Sequence, residues 1–140
     1  MLAAGLSTQC GESLEGGYIA FSLNNEGTRY SDLAYLEASA TGIELGAARL
    51  TSEKSDALVL TSKNTSGGDP WAGPFEAELM FEVGAARKYQ GSGLDITFTK
   101  KSGPGGFVEG LFANIELTRT TDPGDTITLS GGTFKVKWMD

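Results

Sequence analysis

The chain has 140 residues, of which 39% are hydrophobic and 9% aromatic, and this composition suits a single domain with a packed core. Its 18 acidic and 11 basic residues give a net charge of −7, and a negative domain repels phosphate backbones, which argues against nucleic-acid binding. The sequence has no histidine and one cysteine, which excludes histidine-based catalytic triads, thiolate metal clusters and internal disulfides.

The first 17 residues differ in composition from the rest of the chain. Residues 1–6 are small and apolar, and a polar stretch containing glycine follows them. This order resembles the end of a signal-peptide apolar region, followed by a lipoprotein cysteine and a short tether. It predicts residues 1–17 as a signal-peptide remnant and tether, with Cys10 lipidated and holding the domain on a membrane. Gln9 stands where a lipoprotein signal usually has a small residue, and an ordinary free thiol at Cys10 is the alternative.

Segments in which apolar and polar residues alternate follow one another from residue 18 to the end. Twenty glycines and many threonines and serines also favour strands and turns over helices. Alternation is the pattern of strands with one buried face. Strands are predicted at 18–23, 28–39, 41–50, 57–61, 75–83, 94–100, 107–118 and 126–138.

Several of these segments carry finer predictions. Residues 28–39 predict a strand with a bulge rather than a helical turn, and Gly42 and Gly46 predict interruptions in the next strand. The short apolar run at 57–61 predicts a strand that is buried on both faces. Tyr89 is a possible strand start within a connection.

Turn composition separates the strands, with glycine, proline, asparagine and aspartate concentrated between them. The resulting spacing of about 8–12 residues predicts an all-β domain over residues 18–140. We expect eight to ten strands in an antiparallel sandwich or an up-and-down barrel, mostly with meander connections, because parallel crossovers need longer linkers. The predicted turns and loops are 24–27, 62–74, 84–93, 102–106 and 122–125.

Three phrases carry a resemblance to a known group of proteins. Residues 21–27 run from a phenylalanine to an Asn-Glu-Gly turn, residues 96–100 and 108–112 read ITFTK and VEGLF, and residues 127–136 read ITLSGGTFKV. The chain resembles small Bacteroidota lipoproteins of unknown function that have a lipocalin-like or sandwich β-fold, mainly over residues 94–138. The resemblance implies an exported, lipid-anchored β-domain and supplies no catalytic residues.

Aromatic side chains are the candidates for a binding site. Trp71 lies in the longest predicted loop, where an aromatic ring can stack on a sugar or fill a partner's pocket. Tyr30, Tyr35 and Tyr89 are predicted to join it at the mouth of a barrel. The alternative for Trp71 is a structural one, in which the ring folds back and caps the core.

The carboxylates give a weaker signal. Glu76, Glu78 and Glu82 recur at even spacing, and although paired carboxylates can hydrolyse glycosides, this spacing is typical of the solvated face of a strand. Asp122 and Asp125 flank Pro-Gly and favour a turn over a calcium site. No metal or other cofactor is expected.

The sequence therefore predicts a non-catalytic, exported cell-envelope domain that binds a ligand or a protein partner. It would contact the membrane only through the lipid on Cys10. The alternative is a self-assembling structural subunit of an extracellular fibre or virion. An enzyme is a third possibility and would need two carboxylates that converge in a cleft. A binding domain should be monomeric with a pocket, whereas a structural subunit should present apolar strand edges.

Overall fold

The computed structural model describes residues 16–39, 42–52, 55–63, 70–82 and 87–139. The predicted all-β antiparallel fold is confirmed, with eleven strands in these residues where eight to ten were expected. The described part of the chain holds no helix of the length and hydropathy needed to cross a membrane. The elements are, in chain order, β1 (Tyr18–Leu23), β2 (Glu26–Tyr30), β3 (Asp32–Ser39), β4 (Gly42–Leu50), β5 (Ser55–Lys63), a 3-10 helix (Pro70–Ala72), β6 (Phe75–Phe81), β7 (Arg87–Leu94), β8 (Ile96–Lys101), β9 (Phe107–Phe112), β10 (Ile115–Arg119) and β11 (Asp122–Trp138).

The strands fall into two groups, and β11, which belongs to the second group, also pairs with both end strands of the first. One group, the meander layer, pairs in the order β3–β4–β5–β6–β7–β10, and the other, the hairpin layer, pairs in the order β2–β1–β11–β9–β8. The long strand β11 also pairs with β10 near its start and with β3 near its end, so the path of paired strands closes on itself. The result is barrel-like, and the contact between β3 and β11 is parallel while the other pairings are antiparallel.

One hydrophobic core fills the space between the two layers. Alternate residues point inward because side chains on a strand alternate between its faces. Ile19, Val108 and Val136 come from the hairpin layer, and Leu45 and Leu79 come from the meander layer, all fully buried. Burying a side chain of this size contributes about 1.5–3 kcal/mol, so this shared core is what holds the layers together.

Two Gly-x-Phe phrases, one on β9 and one on β11, face each other in antiparallel register. Gly132 is paired with Phe112, and Phe134 is paired with Gly110. A Cβ built at Gly132 would overlap the Phe112 ring, and one at Gly110 would overlap the Phe134 ring and the carbonyl oxygen of Thr97. Each ring therefore covers the glycine of the opposite strand, which keeps the sheet packed where a side chain is missing.

Two predictions about the first strands are confirmed in part, since Glu26 and Gly27 of the predicted turn already belong to β2. Asn24 and Asn25 form a two-residue turn with φ of 49° and 70°, the left-handed conformations that a tight hairpin of this kind requires. The predicted bulge is present, because the register between β3 and β4 shifts after Asp32 and Leu33 has a φ of 54°. The single strand predicted at 28–39 is wrong, because the chain divides at Ser31 into β2, which pairs with β1, and β3, which pairs with β4. The bulge leaves the Leu33 side chain 58% exposed.

Two predictions about β4 and β5 are wrong. Gly46 does not interrupt β4, because it lies inside the strand beneath the Tyr35 ring, where a Cβ would come within 3.0 Å of Tyr35 Cε1. The second error concerns 57–61, which is buried on one face only. Leu58 and Leu60 point into the core, whereas Val59 is partly exposed on the outer face of the meander layer.

Two more segments differ from their predictions. Residues 84–93 were predicted as a connection, but β7 occupies most of them, with Tyr89 turned inward and Gly91 packed against Leu117. The sequence indicates only Tyr89 as a possible strand start in this segment, because few of the side chains of β7 are apolar. The predicted turn at 122–125 belongs to the start of β11, since the chain reverses at 120–121 and Asp122 already pairs with β10.

Candidate functional site

The predicted binding residues do not converge on one site. Tyr30 is completely buried and Tyr89 is 3% exposed, so both lie in the core rather than at a barrel mouth. Tyr35 is on the outer face of the meander layer, and Trp71 lies between β5 and β6. The predicted lipidation site, Cys10, lies outside the described residues, as does the rest of the segment 1–15.

Trp71 covers aromatic side chains at one end of the core. Its ring centroid lies 4.9 Å from that of Phe98 and 5.1 Å from that of Trp138. The Nζ atom of Lys101 lies 4.3 Å from the Trp71 centroid, on the outer side of the cluster. The ring is partly buried against the core, which matches the structural alternative considered for this residue.

Two of the tyrosines use their hydroxyl groups in hydrogen bonds to carboxylates. Tyr35 Oη donates to Glu44 Oε2 at 2.6 Å, across the outer face of β3 and β4. Tyr89 Oη donates to Asp125 Oδ2 at 2.7 Å, and Arg119 Nη1 lies 3.5 Å from the same oxygen. Both hydroxyls therefore have structural roles.

A cavity of about 400 Å³ lies at the end of the molecule where β1–β2, β4–β5 and β6–β7 reverse direction. We call it the end cavity. Leu23 and Phe81 supply apolar surface, and Gly27 and Thr28 of β2 form part of the wall. Its charged lining residues are Glu26, Arg49, Asp56, Glu82 and Arg87.

An inward-facing ion pair between Arg49 and Asp56 lines the end cavity. Arg49 and Asp56 are directly paired on β4 and β5, and Arg49 Nη2 donates to Asp56 Oδ2 at 2.8 Å. The Asp56 side chain is 7% exposed and that of Arg49 is 31% exposed. Taking two charges out of water is costly, so such a pair is weak evidence for stability and a reason to look for another role.

Sequence reasoning missed this pair, although a signal was available. Arg49 continues the inward phase of Leu45 and Ala47, and Asp56 shares the inward phase of Leu58 and Leu60. Charged residues in the buried phase of two consecutive strands predict that they meet across the turn between them.

Two polar atoms next to the end cavity are buried without a hydrogen-bond partner among the described residues. They are the Tyr30 hydroxyl and the Nε of Arg49. The Arg49 guanidinium carbon lies 5.3 Å from the centre of the Tyr30 ring. Buried polar groups are nearly always paired and Nε can only donate, so an unpaired Nε is unusual here.

Burial is the main reason that the pKa of Tyr30 is raised well above its usual value, and the nearby Asp56 carboxylate adds to the effect while Arg49 opposes it. The hydroxyl therefore keeps its proton at neutral pH and stays a donor. The Arg49 guanidinium is partly exposed and lines the end cavity, so it is the donor that a ligand can reach. This arrangement can orient a polar molecule by charge and hydrogen bonds.

A second arginine, Arg87, lines the end cavity from the start of β7. The Arg87 guanidinium carbon is 5.0 Å from the centre of the Phe81 ring, and its Nη2 is 3.9 Å from Glu82 Oε1. Both side chains of this pair are largely exposed, so the pair contributes little to stability. Glu82 has a φ of 54° and lies beyond the end of β6, lining the end cavity instead of sharing a strand face with Glu76 and Glu78 as predicted.

An open depression of about 350 Å³ lies on the outer face of the meander layer. Glu76 and Glu78 line it, and Glu78 Oε2 accepts a hydrogen bond of 2.8 Å from Gln90 and lies 3.7 Å from Lys88 Nζ. Within the described ranges, no three ligating side chains come together as a metal site would require.

Alkaline pH is expected to destabilise the protein through its shielded tyrosines. The pKa is raised at Tyr30, Tyr35 and Tyr89, with burial the largest cause at each and a hydrogen bond to a carboxylate next at Tyr35 and Tyr89. The unfolded chain ionises these groups above about pH 10 and the folded protein resists, so stability is unaffected below that pH and falls as the pH rises past it.

The check is a series of urea unfolding curves from neutral to strongly alkaline pH. Tyr30 alone is expected to cost about 1.4 kcal/mol for each pH unit above about 10. Tyr30→Phe is the matched control: it removes an unpaired hydroxyl, so it should be as stable as the native chain at neutral pH and lose less stability in alkali. Equal alkaline losses in both proteins would contradict this account of Tyr30.

Comparisons with known proteins leave the site to be interpreted from these residues. The chain matches no protein-family model, no curated protein and no solved structure.

Proposed function

We propose that this chain is a non-catalytic, exported domain of the cell envelope that binds a small polar ligand in the end cavity. The observation that carries the proposal is the Arg49–Asp56 ion pair, which is among the residues that line the cavity although the Asp56 side chain is almost completely buried. The volume of the end cavity, about 400 Å³, lies within the range typical of small-molecule sites.

The lining suggests what the ligand would look like. Arg49 offers a guanidinium group from β4 and Arg87 offers one from β7, where it lies over the aromatic ring of Phe81. Guanidinium groups favour carboxylates and other planar acceptors. A small polar molecule that offers acceptors to the guanidinium groups and donors to Glu26, Asp56 and Glu82, and that has a compact apolar part, would complement this lining.

The envelope location is proposed on the sequence of the N-terminal segment. Cys10 follows a small, apolar stretch, and a short segment containing glycine separates it from β1. A diacylglycerol on Cys10 would hold the domain beside a membrane.

Ligand binding can be tested by thermal unfolding in the presence of a panel of small metabolites: carboxylic acids, amino acids, sugars and phosphate esters. A true ligand raises Tm because it binds only the folded state. Arg87→Gln is expected to abolish that rise by removing one wall charge without breaking a buried pair. Arg119→Gln removes the same charge outside the cavity and should keep the rise. No rise with any class, or equal rises in both variants, would reject the end cavity as the site.

A self-assembling subunit is the second candidate, and free strand edges favour it. Among the described pairings, β2 bonds only to β1 and β8 bonds only to β9, so each has one open edge. Open edges can pair with another chain. Both edges are short, and β8 ends in Lys100 and Lys101, features that discourage such pairing. We expect a monomer by analytical ultracentrifugation; regular fibres seen by electron microscopy would support assembly instead.

A further inference from the structure

The charges of this acidic protein are separated between the two layers. Described charged side chains on the outer face of the meander layer are mostly acidic, whereas those on the outer face of the hairpin layer are mostly basic. On the meander layer they are Asp32, Glu37, Glu44, Glu76, Glu78, Glu116 and one basic residue, Lys88. On the hairpin layer, apart from Asp122 and Asp125 at the start of β11, they are Arg29, Lys100, Lys135, Lys137 and one acidic residue, Glu109.

Strand pairing brings the basic residues together from distant parts of the sequence. Lys135 on β11 pairs with Tyr18 on one side and with Glu109 on the other, and Glu109 pairs in turn with Lys100. The ion pair between Lys100 and Glu109 is 3.9 Å long and exposed, so it neutralises little. The set Arg29, Lys100, Lys135 and Lys137, with the residues between them, is called the basic face below.

Aromatic and aliphatic groups lie among these cations. The Arg29 guanidinium carbon is 4.1 Å from the centre of the Tyr18 ring, and the Nζ atoms of Lys135 and Lys137 are 4.8 Å and 5.4 Å from the centre of the Phe107 ring. Leu111, next to this group on β9, is 46% exposed. Basic residues mixed with aromatic rings and an exposed leucine are the composition of surfaces that contact membrane interfaces.

We propose that the basic face binds anionic phospholipid surfaces and thereby sets the orientation of the domain on the membrane. The inference rests on the proposed envelope location. Each basic side chain near an anionic surface strengthens binding, and Leu111 can enter the boundary of the acyl chains. The strand that follows the proposed tether, β1, lies in this layer, and its first residue Tyr18 pairs with Lys135.

The net charge of −7 does not oppose this orientation. Two sheet layers packed face to face lie about 10 Å apart, and the electrostatic screening length at physiological salt is about 8 Å. The acidic face would therefore be screened from a surface that the basic face touches. A second copy could also present its acidic face to the basic face, but it would leave the cluster of Leu111 and aromatic rings without a role.

The test uses the full chain with Cys10→Ala, which cannot be lipidated, in a sedimentation assay with vesicles. Binding to vesicles of phosphatidylglycerol and phosphatidylcholine is compared with binding to phosphatidylcholine alone, at low and high salt. Because this variant carries no lipid, a failure to bind vesicles would count against the basic face alone. Whether Cys10 is lipidated in the native protein is measured separately.

Paired variants locate the contact. Lys135→Gln with Lys137→Gln is expected to weaken binding to anionic vesicles about 25-fold, or about fivefold per lysine. Lys88→Gln with Arg119→Gln removes the same charge elsewhere and should leave binding unchanged. Leu111→Ser should weaken binding, and Leu50→Ser, at a leucine that is 49% exposed and outside the basic face, should not.

The proposal is supported if binding requires anionic lipid, weakens with salt and follows the variants in this way. It is overturned if the chain does not bind anionic vesicles, or if the two double variants weaken binding equally. It is also overturned if ultracentrifugation shows salt-sensitive dimers that are lost in the Lys135→Gln, Lys137→Gln variant while vesicles are not bound. That result would assign the basic face to a second copy.

Discussion

Replacing Gly132 with alanine is expected to lower the free energy of unfolding by about 2–3 kcal/mol, measured by urea denaturation. The added methyl group would occupy space already filled by the Phe112 ring, which lies directly opposite on β9. The ring cannot move away freely because it is buried in the core. Overpacking at such a site forces side chains off their preferred rotamers or shifts the backbone.

Two controls separate this effect from the general cost of changing a glycine. Gly27→Ala adds the same methyl group on β2, where nothing lies within 4 Å, and should change stability by less than about 0.5 kcal/mol. In a Phe112→Leu background, the smaller side chain leaves room, so Gly132→Ala should cost clearly less than in the native chain. Equal costs in the two backgrounds would mean that the Phe112 ring is not what Gly132 accommodates.

Replacing Arg49 with methionine is expected to cost about 3 kcal/mol of stability, because it leaves the Asp56 carboxylate buried without its partner. The figure is at the low end for buried pairs, since Arg49 is itself partly exposed. Converting both residues to apolar ones, Arg49→Met with Asp56→Leu, should restore much of the loss. The same pair of charges would then prove dispensable for folding.

The exposed pair of Lys88 and Glu78 is the matched control for this prediction. Lys88→Met removes a cation from a pair whose atoms are 3.7 Å apart on the surface, and it should change stability by no more than about 1 kcal/mol. Losses of similar size at Arg49 and Lys88 would contradict the buried character of the end-cavity pair. A double variant that remains as unstable as Arg49→Met would argue that the pair is structural.

Sequence patterns are reliable here where one face of a strand is uniformly apolar. In β6, Phe75, Ala77 and Leu79 alternate with acidic residues, and the strand lies where it was predicted. In β7, the inward positions hold a tyrosine, a glycine and one leucine, so alternation is faint. The strand exists because β6 and β10 pair with it on both sides, which a local pattern cannot show.

The functional features depend even more on tertiary pairing. The aromatic residues proposed from the sequence serve as core, cap or hydrogen-bond donors, because their surroundings are set by distant strands. Arg49 and Asp56 could be found from their phase in neighbouring strands, but the closeness of Tyr30 to them could not. The basic face joins residues of β2, β8 and β11, so the overall composition, with its net negative charge, concealed it.

The most direct test of the proposed envelope role is the intact mass and N-terminal sequence of the protein purified from its native source. With a lipid tether, we expect a chain that begins at Cys10 and carries an addition of the mass of a diacylglycerol on that residue. A chain that retains residues 1–9 with an unmodified Cys10 would contradict the tethered role.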